Sequence, residues 1–193
     1  MALEADAGRL RQSRRTLGRR ALLTGAVLLL VVGAIVVAIA ALGGDDNKSG
    51  KLTGNSKDSY TLSYPASWRP LSGAELDKLP GHPLAVLRRK DGKGFVVLRK
   101  EGRAPKSFGA FSGDLSRALD KRVPDFKKGS SKVITVNGDK AFFLSYIRQT
   151  KGTVHTVVVV PAGKRSYVLN TVSRGGARDV ARQVARIILS FKT

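Results

Sequence analysis

The 193-residue chain predicts an α+β fold: an antiparallel β-sheet sandwiched between helices, preceded by a single transmembrane helix. Three observations predict it. An uncharged apolar run near the N-terminus is long enough to cross a bilayer. Beyond about Asp58, short alternating segments meet at tight turn signals, which force antiparallel pairing. Helical patterns stand before and after a block of four such segments, the arrangement of an α+β sandwich.

The apolar run is Ala21–Leu42, 22 residues without charge or proline, thirteen of them Leu, Ile or Val. As a helix it spans about 33 Å, close to the ~30 Å hydrocarbon core, and its insertion gains on the order of 4–8 kcal/mol. The preceding segment, 1–20, carries six arginines against Glu4 and Asp6, whereas Asp45, Asp46, Lys48 and Lys51 cancel on the other side. Positive charge stays inside, so the expectation is a cytoplasmic N-terminus and an extracytoplasmic C-terminal domain. Ala38-Ile39-Ala40 also fits a signal-peptide cleavage pattern, so a secreted form cleaved after Ala40 remains an alternative. A signal h-region is usually about 7–15 residues, shorter than this run.

Residues 43–57, GGDDNKSGKLTGNSK, read as a flexible linker of roughly 20 Å r.m.s. span. The domain is expected over 58–193. Tyr60, Leu62 and Tyr64 alternate with polar residues in a first strand that Pro65 ends. Ser72-Gly73-Ala74-Glu75 is a capping box and opens a short helix ending near Pro80. Leu84–Arg89 and Phe95–Lys100 flank the turn Asp91-Gly92-Lys93-Gly94. Ser107 caps a helix that Pro124 stops, with Phe108, Phe111, Leu115, Ala118 and Leu119 on one stripe. Lys132–Val136 and Lys140–Ile147 flank Asn137-Gly138, where both turn positions need positive φ. Thr153–Val160 and Ser166–Ser173 follow as strands, and Val157–Val160, apolar on both faces, predicts a strand covered twice. Ala177–Ser190 closes the domain as a helix with Val180, Val184, Ile187 and Ile188 inward.

Several of these segments together resemble the PsbP-like family, whose fold is shared with a Ran-binding nuclear import factor. The resemblance covers roughly 58–193 and rests on an early strand running into Tyr64-Pro65-Ala66-Ser67-Trp68, the hairpin Val133–Ala141, the strand Ser166-Tyr167-Val168-Leu169 and a terminal helix ending in Ile188-Leu189-Ser190-Phe191. It implies an antiparallel sheet packed between helices and a non-catalytic accessory or binding role. The role of the plant members as photosystem subunits is not carried over, because this chain has its own anchor segment and no matched ion-binding residues.

The residues themselves offer little catalytic chemistry. There are no cysteines, which excludes disulfides, thiol catalysis and cysteine-ligated metals. No phosphate-binding loop, dinucleotide fingerprint or nucleophile elbow occurs, and no cofactor or metal is expected. His82 reads as a turn residue and His155 as a structural histidine in an apolar strand. An envelope-acting hydrolase or transferase is the competing class, and it would need His155 in a pocket with a serine and a carboxylate.

Charge is the one unusual property. From Asn55 onward 27 lysines and arginines face 10 acidic residues, a balance of +17. One cluster lies on the first hairpin, where Arg88, Arg89, Lys90, Lys93, Arg99 and Lys100 are candidate polyanion contacts. A second lies on the last helix, where Arg178, Arg182 and Arg186 recur every four residues along one ridge. The bland reading is a solubilising face. The functional one is contact with anionic lipid headgroups or an envelope polymer. Nucleic acid is disfavoured, because few aromatic residues interleave with the cations along the chain.

Overall fold

The computed structural model describes residues 49–102 and 105–193. The expected cytoplasmic tail (1–20), the transmembrane helix (21–42) and residues 43–48 of the expected linker lie outside the described residues. Among the described residues no helix is long and apolar enough to cross a membrane.

The chain begins with β1 (Ser49–Thr53), β2 (Thr61–Pro65) and β3 (Trp68–Pro70), followed by the short helix α1 (Gly73–Leu76). Then come β4 (Ala85–Arg89), β5 (Gly94–Glu101) and α2 (Phe108–Arg122). Four consecutive strands, β6 (Phe126–Val136), β7 (Asp139–Arg148), β8 (Thr153–Ala162) and β9 (Arg165–Arg174), lead to α3 (Arg178–Leu189). β1 and β2 form a two-stranded sheet, and the rest form a seven-stranded sheet ordered β3-β4-β5-β9-β8-β7-β6. Every pairing is antiparallel.

Side chains alternate across the large sheet, and each face has its own helix. Val158, Val160, Tyr167, Leu169, Val96, Leu98 and Leu87 pack with Val180, Val184, Ile187 and Ile188 of α3. On the opposite face Val157, Val159, Leu144 and Val168 pack with Phe111 of α2. Val157–Val160 is thus shared between two cores, as its unbroken hydrophobicity predicts. Asn137 and Gly138 both take positive φ, +49° and +95°, and close the β6–β7 hairpin.

Four expectations need correction. The expected linker 43–57 gives way to a strand at Ser49–Thr53. β1 survives its Gly/Lys-rich composition because Gly50 lies against the Tyr64 ring, where an added Cβ would come within 2.2 Å of Cζ. The helix capped by Ser72 stops at Leu76, short of Pro80, and the chain passes into a turn closed by the Leu79 N–H on the Leu76 carbonyl at 2.9 Å. β6 starts at Phe126 rather than Lys132, and its pairing with β7 shifts register between Lys128 and Ser131. Gly129 sits in that irregularity, 2.8 Å from Ser145 Oγ when a Cβ is added. Ala118 is exposed. It and Phe111 lie at the margin of the α2 stripe, and only the long phenyl ring reaches the sheet from there.

Trp68 ties these layers together. It is 2% exposed, and its indole N–H donates to Gln183 Oε1 of α3 at 2.9 Å. Its ring lies against Gly94 of β5, where an added Cβ would fall 2.6 Å from Trp68 Cη2 and 2.9 Å from Val180 Cγ1. Gly94→Ala should therefore cost about 1–3 kcal/mol by overpacking. Gly113 of α2 has nothing within 4 Å of an added Cβ, so Gly113→Ala should stabilise by about 0.4–1 kcal/mol. Urea unfolding midpoints of the two variants, moving in opposite directions, check both.

Candidate anion-contacting surface

The tip of the β4–β5 hairpin is built by local bonds. Gly92 turns the chain at φ +72°, Gly92 N–H donates to Arg89 O at 2.9 Å, and Asp91 Oδ1 accepts from Lys93 N–H at 3.0 Å. The hairpin is then locked to the last helix. Arg89 Nη2 meets Asp179 of α3 at 2.7 Å, and its Nε lies 3.5 Å from Asp91. Asp179 also occupies the first turn of α3, where negative charge suits the helix dipole. Partial burial pushes its carboxyl up, but the hydrogen bonds from Arg89 and the Val180 N–H, with the guanidinium charge, outweigh this and hold it below the usual range.

These contacts sort the nine candidate cations. Arg89 is 14% exposed and committed to Asp179 and Asp91. Arg99 donates to Pro80 O at 3.0 Å. Lys100 bonds Lys57 O at 2.9 Å and Asp58 Oδ1 at 2.5 Å, and lies over the Tyr167 ring. All three make contacts within the fold. Arg88 is exposed and lies 5.6 Å over the Phe95 ring. Lys90 and Lys93 are exposed at the tip, Lys93 3.7 Å from Asp91. Arg178 and Arg182 are exposed on α3, and Arg186 is half-buried.

Two further cations join the same end. Arg174 N–H donates to Lys93 O at 3.0 Å, and Gly175 N–H reaches Gly152 O at 2.5 Å. The β9–α3 loop thus brings together the β4–β5 and β7–β8 turns, adding exposed Arg174 and Lys151 to Lys90, Lys93 and Arg178. Neither residue is singled out by local sequence, since each stands alone beside a glycine and gains neighbours only through strand pairing. The α2–β6 corner lies at this end as well. Asp125 turns there at φ +59°, accepts from Thr150 N–H at 2.7 Å and Thr150 Oγ1, and pairs with Arg148 at 3.2 Å. Led by the Thr150 hydroxyl, these contacts hold its carboxyl below the usual range.

His155 belongs to this neighbourhood. Its ring stacks on Tyr146 with centroids 4.7 Å apart, and Nε2 lies 3.0 Å from Thr153 Oγ1. The nearby carboxylate, Asp125, is held by Thr150 and Arg148. Among the described residues no three His, Asp or Glu side chains form a metal-holding group.

No protein-family model matches the chain, and no curated protein does. Solved structures do. The solution structure of cyanobacterial PsbP (CyanoP) from Synechocystis sp. PCC 6803 superposes with a TM-score of 0.54 at 14% identity, covering 79% of this chain and 96% of that one. A variant of the protein Mog1 superposes with a TM-score of 0.52 at 10% identity, covering 75% and 95%. The chain therefore has a PsbP/Mog1-like fold, and the likeness is one of fold.

Burial, reinforced by the Arg148 and Lys151 charges, lowers the His155 pKa to about 4, against 6.5 for the free group. The unfolded chain then binds a proton that the folded chain refuses between those values. Stability should fall as pH drops from about 6.5 toward 4 and level off below. Denaturant midpoints at pH 7 and pH 5 should differ in the parent and much less in His155→Gln.

Proposed function

We propose that the chain is a membrane-tethered, extracytoplasmic binding domain that engages an anionic component of the cell envelope without catalysis. The anchor reading comes from the uncharged run Ala21–Leu42 and the arginine-rich segment before it. The observation that carries the binding reading is the sorting of cations. Arg89, Arg99 and Lys100 are used inside the fold, while Lys90, Lys93, Lys151, Arg174 and Arg178 collect in solvent at one end of the sheet. Of the carboxylates there, Asp91, Asp125 and Asp179 are in ion pairs, while Asp120 on the last turn of α2 is exposed. Such an end attracts polyanions through screened electrostatics, so affinity should drop steeply as salt rises.

The full chain in phosphatidylcholine vesicles should resist extraction by alkaline carbonate and bind a soluble polyanion such as dextran sulfate at low salt. The variant Lys90→Gln/Lys93→Gln/Arg174→Gln/Arg178→Gln should lose about tenfold or more in affinity, as expected for removing four surface cations. Lys140→Gln/Lys164→Gln/Arg165→Gln, altered at the opposite end, should keep most of it. Equal losses in the two variants would reduce the basic end to a solubilising surface.

A further inference from the structure

We infer that the domain docks end-on against the anionic headgroups of the bilayer that holds its own anchor, with the β4–β5 tip facing the membrane. This rests on the proposed tethered binding role and adds the docking surface and the partner. The argument begins at β1. Because Ser49 is already paired in a strand, only residues 43–48 separate it from Leu42 at the end of the apolar run. Six residues reach at most about 20 Å even when fully extended. The tether is therefore much shorter than the expected fifteen-residue linker.

The point of attachment then decides which end meets the lipid. Ser49 pairs with Pro65, at the far end of β2 from Thr61 and its bridge partner Lys192. Two residues beyond Pro65, the Ser67 carbonyl accepts from Lys90 N–H at 2.9 Å, and Ser67 Oγ lies 3.2 Å from Gln183 of α3. The chain thus enters the domain beside the hairpin tip. That is the end where Lys90, Lys93, Lys151, Arg174, Arg178 and the α2 C-terminal residue Arg122 are exposed. The opposite end carries the β6–β7 and β8–β9 turns, with Lys140, Lys164, Arg165, Lys57 and Lys192 exposed and Asp139 among them. A headgroup layer within a Debye length of the first end would attract it, and a free envelope polymer would have no reason to prefer it by tether geometry. The short connection selects the orientation, and the cations at the attached end add electrostatic attraction to the headgroups.

The chain contains no cysteine, so one introduced thiol labels one site. Gln149→Cys places a fluorophore in the β7–β8 turn at the basic end, and Thr135→Cys places one at the other end, both at exposed positions. The full-length proteins are reconstituted in phosphatidylcholine vesicles containing one quarter phosphatidylglycerol and a headgroup-attached quencher. The label at position 149 should be quenched several-fold more than the label at 135 in low salt. The contrast should shrink in pure phosphatidylcholine or molar salt. Equal quenching, or stronger quenching at 135, overturns end-on docking, and an undiminished contrast in pure phosphatidylcholine overturns its electrostatic cause. Dextran sulfate binding alongside equal quenching would sink the docking and leave the polyanion-binding role standing.

Discussion

The packing of Trp68 against Gly94 fixes where everything else in this domain can lie. The indole and Val180 of α3 occupy space that any side chain at position 94 would fill, and the indole N–H holds Gln183 of α3. A three-residue edge strand, the first long hairpin and the last helix are thereby brought to one point. The Arg89–Asp179 ion pair forms just beyond it, as a consequence of that approach. Exposed ion pairs are worth little on their own. This one has an arginine that is mostly buried, and apolar packing brings the two charges together.

From that junction the two faces of the sheet divide the work. The α3 face carries the larger core and fixes the N-terminal strands, through Ser190 Oγ bonded to Ser63 and through the Thr61–Lys192 bridge. The α2 face carries a smaller aromatic cluster in which Phe108, Phe111 and Phe142 pack within 6.4 Å of one another. Loops from both layers then converge at one end, where Lys90, Lys151, Arg174 and Arg178 stand in water.

Much of the architecture is legible locally. The capping box at Ser72–Glu75, the Asn137-Gly138 turn and the apolar run Val157–Val160 each signal their structure within a few residues. What escapes is what lacks a local signature. β3 is three residues ending in proline, and β1 is a Gly/Lys segment whose strand geometry depends on Tyr64 and Leu62 across the pair. The early half of β6 is hidden by its lysines and Gly129, which suit an edge strand but read as a loop. The candidate site shows the same division. Arg88, Lys90, Lys93 and Arg178 are legible as cations, whereas the fixing of Arg99 by the Pro80 carbonyl and of Lys100 by Asp58 depends on segments distant in sequence.

The amino-acid sequence by itself determined the strand and helix periods, the turn positions and the large positive balance, because each depends on residue types and spacings within a short window. Only the tertiary structure decided which cations are spent inside the fold and which exposed ones gather beside the entry of the N-terminal strand. Ion pairing and proximity fall off over a few ångströms, and the partners that set them, Asp179 for Arg89 and Gly152 for Gly175, come within that range only when the sheet and its last helix have closed.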